Sequence, residues 1–260
     1  MSIFPTIVGV FANQNIKRSP RISVTRQAVR VDALVRRAGG LVLGHVLPAS
    51  LFALFATVKG WLVVQAASAL TTPGFDVSAS AALLFVTQLL GLAYYGLLAV
   101  LFAIRLPRLG GRRTPWTIAV TMFATFAILT VGILPDDQPR PWLDGLGAAL
   151  VGLGLAYSIW ALVCLRRSYS LLPESRRLVR GGPYALSRHP LYLGETVAAV
   201  GVLIPVAGLL AVGLWVANVA AQLLRIHWEE QVLRAQFPEY DSYALRVPRY
   251  LPFVRTMARQ

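Results

Sequence analysis

Residues 191–224 read LYLGETVAAVGVLIPVAGLLAVGLWVANVAAQLL, an apolar block broken once, at Pro205-Val206-Ala207-Gly208. Proline lacks an amide donor and glycine permits a turn, so the block reads as a helical hairpin with a short first arm and a second arm that runs on into polar sequence. Working outward, four further apolar stretches at 41–70, 79–104, 116–134 and 143–165 each approach the ~20 residues a helix needs to cross hydrocarbon with its backbone groups bonded internally. With 56% hydrophobic and 14% charged residues in a 260-residue chain, one soluble core cannot hold this much apolar surface. The expected fold class is therefore all-α: a polytopic membrane helix bundle of four full spans plus a C-terminal helical hairpin, about six membrane helices.

The net charge of +14 is placed by the membrane. Residues 1–40 hold seven Lys or Arg, 105–113 four, 166–188 six and 225–260 six; only Lys59 and Arg140 fall elsewhere. Four spans and a hairpin put those basic segments on one side, which the positive-inside rule makes cytoplasmic, with both termini there and an inner or plasma membrane as the setting. Such a face attracts anionic membrane lipids. No basic module interleaved with aromatics is present, which argues against nucleic acid as a partner. Residues 1–40 form a basic leader without the features of a signal peptide. Within it Val24, Ala28, Val31 and Val35 recur at helical spacing among Arg21, Arg26, Arg30, Arg36 and Arg37, as in an amphipathic interfacial helix. Residues 41–115 then form a two-span accessory region. The single cysteine, Cys164, rules out an internal disulfide, and no metal-ligand spacing occurs. Gly145 and Gly147 sit in an apolar helix and read as packing glycines.

Chemistry-bearing residues gather after residue 165. A loop rich in glycine and proline ends at Arg188-His189 and feeds a helix that starts on Pro190, so His189 lies beside free amide donors. Asn218, Gln222, Arg225 and Glu229 are spaced four, three and four apart on one face of an otherwise apolar helix, and Tyr192 and Glu195 share a face of the first arm. Polar groups of this size are costly in lipid unless they face a wet cavity, so both arms point to a pocket at the inner boundary. A plainer alternative pairs Arg225 with Glu229 across one helical turn and leaves Glu230 solvated. His45 and His227 face elsewhere and are expected at the interface.

Gly182-Pro183-Tyr184-Ala185-Leu186-Ser187-Arg188-His189-Pro190-Leu191-Tyr192-Leu193-Gly194, then Arg225 with Glu229-Glu230, then Phe237 to Tyr243 and Arg246-Val247-Pro248-Arg249-Tyr250-Leu251-Pro252 together resemble the isoprenylcysteine carboxyl methyltransferase and phospholipid methyltransferase superfamily. The likeness covers about residues 168–255, inside a core taken as 116–260. It implies S-adenosylmethionine as cofactor, capped by the loop and the C-terminal helix. The implied cofactor contacts are Arg176, Arg177, Leu178 and Val179 through backbone, with Tyr184, His189, Pro190, Tyr192 and Glu229. Arg225 is then the substrate-side group, and the acceptor is a lipidic or hydrophobic molecule with a carboxylate, amine or hydroxyl head. Glu195 stands where the prenylcysteine enzymes carry an aromatic residue, and can orient an amine or hydroxyl acceptor. Two other readings stay open: a nicotinamide-dependent reductase of the sterol type, whose signature segments are absent, and a non-catalytic membrane assembly or transport component. Oligomeric state is not legible in the sequence.

Overall fold

A computed structural model of the chain describes residues 45–72, 79–131, 140–206 and 208–250. The basic leader and its expected interfacial helix lie outside the described residues, as do 41–44 and 132–134 of two expected spans. The described chain carries seven α-helices: α1 Leu47–Leu70, α2 Ala79–Ile104, α3 Pro115–Val131, α4 Pro141–Leu165, α5 Pro190–Leu203, α6 Leu209–Gln236 and α7 Tyr240–Arg246. Three of them, α3, α4 and α5, begin on proline, whose fixed φ suits a first helical turn and whose missing N–H would have no partner there anyway. Helices α1, α2, α4 and α6 are long and apolar enough to cross a bilayer. The described part of α3 has 17 residues, about 26 Å, at the lower limit for a span. The protein is an integral membrane bundle, with apolar side chains such as Trp61, Val64, Leu153 and Val216 exposed on its outer faces.

One element departs from the all-helical expectation. Gly110–Gly111 (β1) pairs antiparallel with Glu174–Ser175 (β2), and Leu109 N and Arg112 N donate to Ser175 O and Pro173 O at 2.8 and 2.9 Å. This clasp joins two of the basic segments, and Gln236 at the end of α6 lies against Gly110. Three of the four basic segments thus meet at one end of the bundle, as the charge pattern requires.

In lipid the hydrophobic effect does not drive one helix onto another, so close backbone approach and interhelical hydrogen bonds must hold the bundle. Helices α4 and α5 use the first device. A Cβ on Gly147 would stand 2.6 Å from Gly201 O, and one on Gly154 would stand 2.5 Å from Gly194 O. Only glycine at these positions lets the two backbones run antiparallel in contact. Elsewhere polar ties do the work: Asn218 Nδ2 donates to Ala124 O (2.8 Å) between α6 and α3, and Lys59 Nζ to Gln88 Oε1 (2.9 Å) between α1 and α2. Phe52, Leu98, Phe102, Leu162 and Tyr169 fill the core where α1, α2 and α4 meet the loop that follows α4.

The hairpin exists, but its arms do not lie along each other. The glycine seam fastens α5 to α4 while Asn218 fastens α6 to α3, so the arms splay and meet chiefly through polar side chains. Helix α5, at 14 residues and about 21 Å, is shorter than the ~30 Å hydrocarbon core. Its start sits beside Ser158, whose Oγ lies 3.5 Å from Leu191 O, seven residues and about 10 Å before the end of α4 at Leu165. The floor of any site at His189 is therefore recessed into the bundle.

Candidate functional site

The loop from Arg166 to His189 covers that recess. It turns at Gly182, where φ is +63° and an added Cβ would collide with Cys164 Sγ, so glycine is required on both counts. Its far end is tied to the C-terminal segment. Arg188 N donates to Pro248 O (2.9 Å), Ser187 Oγ to Tyr250 O (2.7 Å), and Tyr243 Oη to Tyr184 O (2.7 Å). Helix α7 thereby closes the recess from outside, in the capping position expected of it.

Inside, two adjacent carboxylates of α6 take different roles. Glu229 accepts a hydrogen bond from Tyr192 Oη, and its Oε2 lies 3.9 Å from His189 Nδ1. Glu230 is 3% exposed and ion-paired to Arg188 (2.8 Å), Arg249 (3.4 Å) and Arg234 (3.6 Å), with its Oε1 3.3 Å from His189 Nε2. The imidazole, 4% exposed, is held between them. The alternative that leaves Glu230 solvated is therefore wrong: three arginines from separate segments draw it inward. Arg225 makes no ion pair with Glu229 among the described residues. Its guanidinium stacks over the Tyr192 ring at 4.8 Å, Nη2 donates to Leu171 O (3.0 Å), and Nε has no partner.

A cavity partly open to solvent lies beside this cluster. Of the residues singled out from sequence, Arg176, Arg177, Leu178, Val179, Tyr184, His189, Tyr192 and Glu229 line it. Pro190 starts α5 and is buried without lining the cavity. Arg225 and Glu195 lie off it, deeper between the arms. Arg176 spends its side chain elsewhere: Nε donates to Leu106 O (2.7 Å) and the guanidinium to Glu174 (2.9 Å), which leaves its backbone to face the cavity. Burial opposes ionisation of Glu174, but Arg176 and Arg113 outweigh it and hold the carboxyl below its usual range. Burial, reinforced by Glu229, pushes the Tyr184 phenol well above its usual range, so it stays a neutral donor.

The polar stripe on α6 serves two purposes. Asn218 bonds to α3 and Gln222 Oε1 accepts from Thr196 Oγ1 (3.0 Å), so these two are ties and only the lower half of the stripe belongs to the site. Glu195 accepts from Tyr94 Oη of α2 at 2.8 Å. His227 is exposed and bonded to Gln231, away from the cavity, as its spacing implied. Sequence reasoning missed the wall residues Tyr169, Tyr240 and Tyr243 and the hub role of Glu230. One signal for the hub was in the sequence, since Arg234 sits four residues from Glu230 on the same helix; Arg188 and Arg249 join it only in space.

Residues 143–240 match the family model described as phospholipid methyltransferase. The chain is 33% identical over 144 residues to the nickel-cobalt-cadmium resistance protein NccN of Alcaligenes xylosoxydans xylosoxydans, covering 53% of this chain and 62% of the relative. It is 29% identical over 150 residues to protein-S-isoprenylcysteine O-methyltransferase B of Arabidopsis thaliana, covering 54% of this chain and 74% of the relative. A probable protein-S-isoprenylcysteine O-methyltransferase of Oryza sativa subsp. indica is 30% identical over 146 residues, 51% of this chain and 73% of the relative. The match thus spans about three fifths of the bacterial relative and three quarters of the plant ones, and it falls on the half of the chain that builds the cavity. By fold, by cavity and by these likenesses, the chain belongs to the integral membrane methyltransferase superfamily of the isoprenylcysteine O-methyltransferases and phospholipid methyltransferases.

Proposed function

We propose that the protein transfers a methyl group from S-adenosylmethionine to the polar head of a lipidic acceptor at the cytoplasmic leaflet. The observation that carries this reading is the turning of His189 and Glu229, from opposite arms, onto one recessed cavity. The donor set suits the cofactor's parts. Glu229 meets an ammonium or hydroxyl, the backbone of 176–179 and the amides at the start of α5 meet a carboxylate, and the rings of Tyr184 and Tyr192 suit an aromatic base or a sulfonium. The cofactor, when bound, supplies an activated methyl on that sulfonium. The protein then has to align an acceptor with it and exclude water, which is where positioning contributes most. Arg225, buried over Tyr192 with Nε unpaired, can hold an anionic part of the acceptor. Glu195 can hold a protic head, amine or hydroxyl.

The basic end of the bundle faces the cytoplasm in this reading, where it attracts anionic lipids. Resistance to nickel, cobalt and cadmium belongs to the bacterial relative's name; among the described residues no three His, Cys, Asp or Glu side chains are arranged to hold a metal ion. Titration of the purified full chain with S-adenosylmethionine and with reduced nicotinamide cofactor tests the proposal. Binding of the first, lost in His189→Ala, is expected; binding of the second alone would move the protein to the reductase reading, and binding of neither to a non-catalytic one. Mass spectrometry of membrane lipids that gain a methyl group then identifies the acceptor.

A further inference from the structure

Glu195 has an unusual neighbourhood. It stands on α5 one turn above Tyr192, inside the apolar bundle, where an ionised carboxylate is expensive without a partner. No Lys, Arg or His comes within ion-pair distance of it among the described residues; Arg225 attracts it through space, without contact, while bonding Leu171 O and stacking on the Tyr192 ring. Its one bond comes from a neutral group, Tyr94 Oη, to Oε1. Oε2 bonds to no described residue, yet it is not sealed off, and Glu195 as a whole is only half-buried. A carboxylate with one oxygen fixed and the other left open is arranged for something that is not part of the chain.

Tyr94 is rigidly held. It is 8% exposed, its ring meets Tyr95 edge-on at 5.3 Å, and it belongs to the core cluster with Leu98, Tyr169 and Leu191. It also lies on α2, outside the residues 143–240 that carry the family match. Among the described residues, the one hydrogen-bond partner of Glu195 therefore comes from a helix outside the family match.

We infer that Tyr94 is a positioning residue for acceptor selection: by anchoring Oε1 it presents Oε2 of Glu195 to the space between the splayed arms, so that the accessory helices form one wall of the acceptor site. The inference rests on the proposed acceptor reading and concerns which head group the site admits. A protonated amine satisfies Oε2, whereas a carboxylate head brings like charge against it in a medium that screens poorly.

The test uses the full chain in nanodiscs and two amphiphiles that differ only in the head, dodecylamine and dodecanoic acid, titrated calorimetrically. The wild type is expected to prefer the amine. Tyr94→Phe, which keeps the ring and removes the donor, is expected to cut that preference roughly tenfold, the scale of a lost hydrogen bond to a charged group. Glu195→Gln is expected to abolish it, and adding Tyr94→Phe to Glu195→Gln to change nothing more. Tyr95→Phe, which removes a hydroxyl not hydrogen-bonded to Glu195, is expected to leave the preference intact. A wild type without amine preference, or a Tyr94→Phe variant that keeps it, overturns the inference. Should Tyr94→Phe not fold, Glu195→Gln decides alone, and retention of the preference there overturns it. S-adenosylmethionine affinity, measured on the same samples, judges the methyltransferase reading separately: its absence with the amine preference intact would remove that reading and leave the acceptor wall standing.

Discussion

Glu229 and Glu230 are neighbours of one type on one helix, and the structure sets them to opposite tasks. Glu230 ion-pairs with Arg188, Arg234 and Arg249 and so pins the C-terminal segment over the recess. Removing one member of a buried ion-pair cluster strands the rest, at a cost of about 3–5 kcal/mol. Glu230→Ala is therefore expected to lower the unfolding temperature in detergent strongly and to expose the 240–250 segment to protease. Glu229 accepts a hydrogen bond from Tyr192, has His189 Nδ1 3.9 Å away and faces the cavity. Glu229→Gln keeps an acceptor for Tyr192 and loses the charge, so its unfolding temperature should stay near wild type while S-adenosylmethionine affinity falls roughly tenfold or more. Equal thermal losses in the two variants would show that the division of labour is wrong. Glu174 is the third informative carboxyl. Because Arg176 and Arg113 hold its folded-state pKa below the usual value of 4.5, its contribution is fully present above that pH and is lost as pH falls through the lowered value. Thermal melts between pH 6 and pH 3 should show a steeper acid limb in the wild type than in Glu174→Gln.

Helix α5 shows how an element too short to span can still be fixed in a membrane. Its glycines, seven residues apart, meet glycines seven apart on α4, and the contact sets both its depth and its rotation. Gly154→Val would force a side chain into Ala198 and the Gly194 carbonyl, and is expected to cost about 1–3 kcal/mol and to disturb cofactor binding by shifting His189. Gly145→Ala, with nothing within 4 Å of the added methyl, should be neutral, and a stability measurement on the two variants checks the seam. The helices themselves were legible: apolar lengths gave the membrane segments, Pro190 the start of α5, and the Pro205 to Gly208 break the turn, whereas the starts of α3 and α4 on Pro115 and Pro141 came one and two residues before the expected spans. The sequence periodicity of α5 and α6 likewise placed His189, Tyr192 and Glu229 on facing surfaces. Which helices pack together was not legible, because the ties are single long-range bonds such as Asn218 to Ala124 and Tyr94 to Glu195, 94 and 101 residues apart. A hairpin pattern predicts arms in contact, and only the glycine seam explains why these arms lean on different neighbours.

Across the whole molecule, polarity is sorted by end rather than by face. The β1–β2 clasp, the loop 166–189, the end of α6 and α7 gather most of the described cations at one end, while the turn at 204–208 carries none. The recess opens at that cationic end and lies about 10 Å below the end of α4. The proposed function needs that end to face the compartment that supplies S-adenosylmethionine, so that a charged cofactor enters from water while the reacting atoms sit among apolar helices, and a measured orientation tests it. A Cys164→Ala background with single cysteines at Thr72, Arg180 or Leu245, all exposed, makes the orientation measurable. In sealed right-side-out vesicles an impermeant thiol reagent is expected to label position 72 at once and positions 180 and 245 only after permeabilisation. Immediate labelling at 180 and 245 would place the recess on the outer side, away from any cytoplasmic cofactor pool, and would remove the functional reading together with the charge argument that supports it.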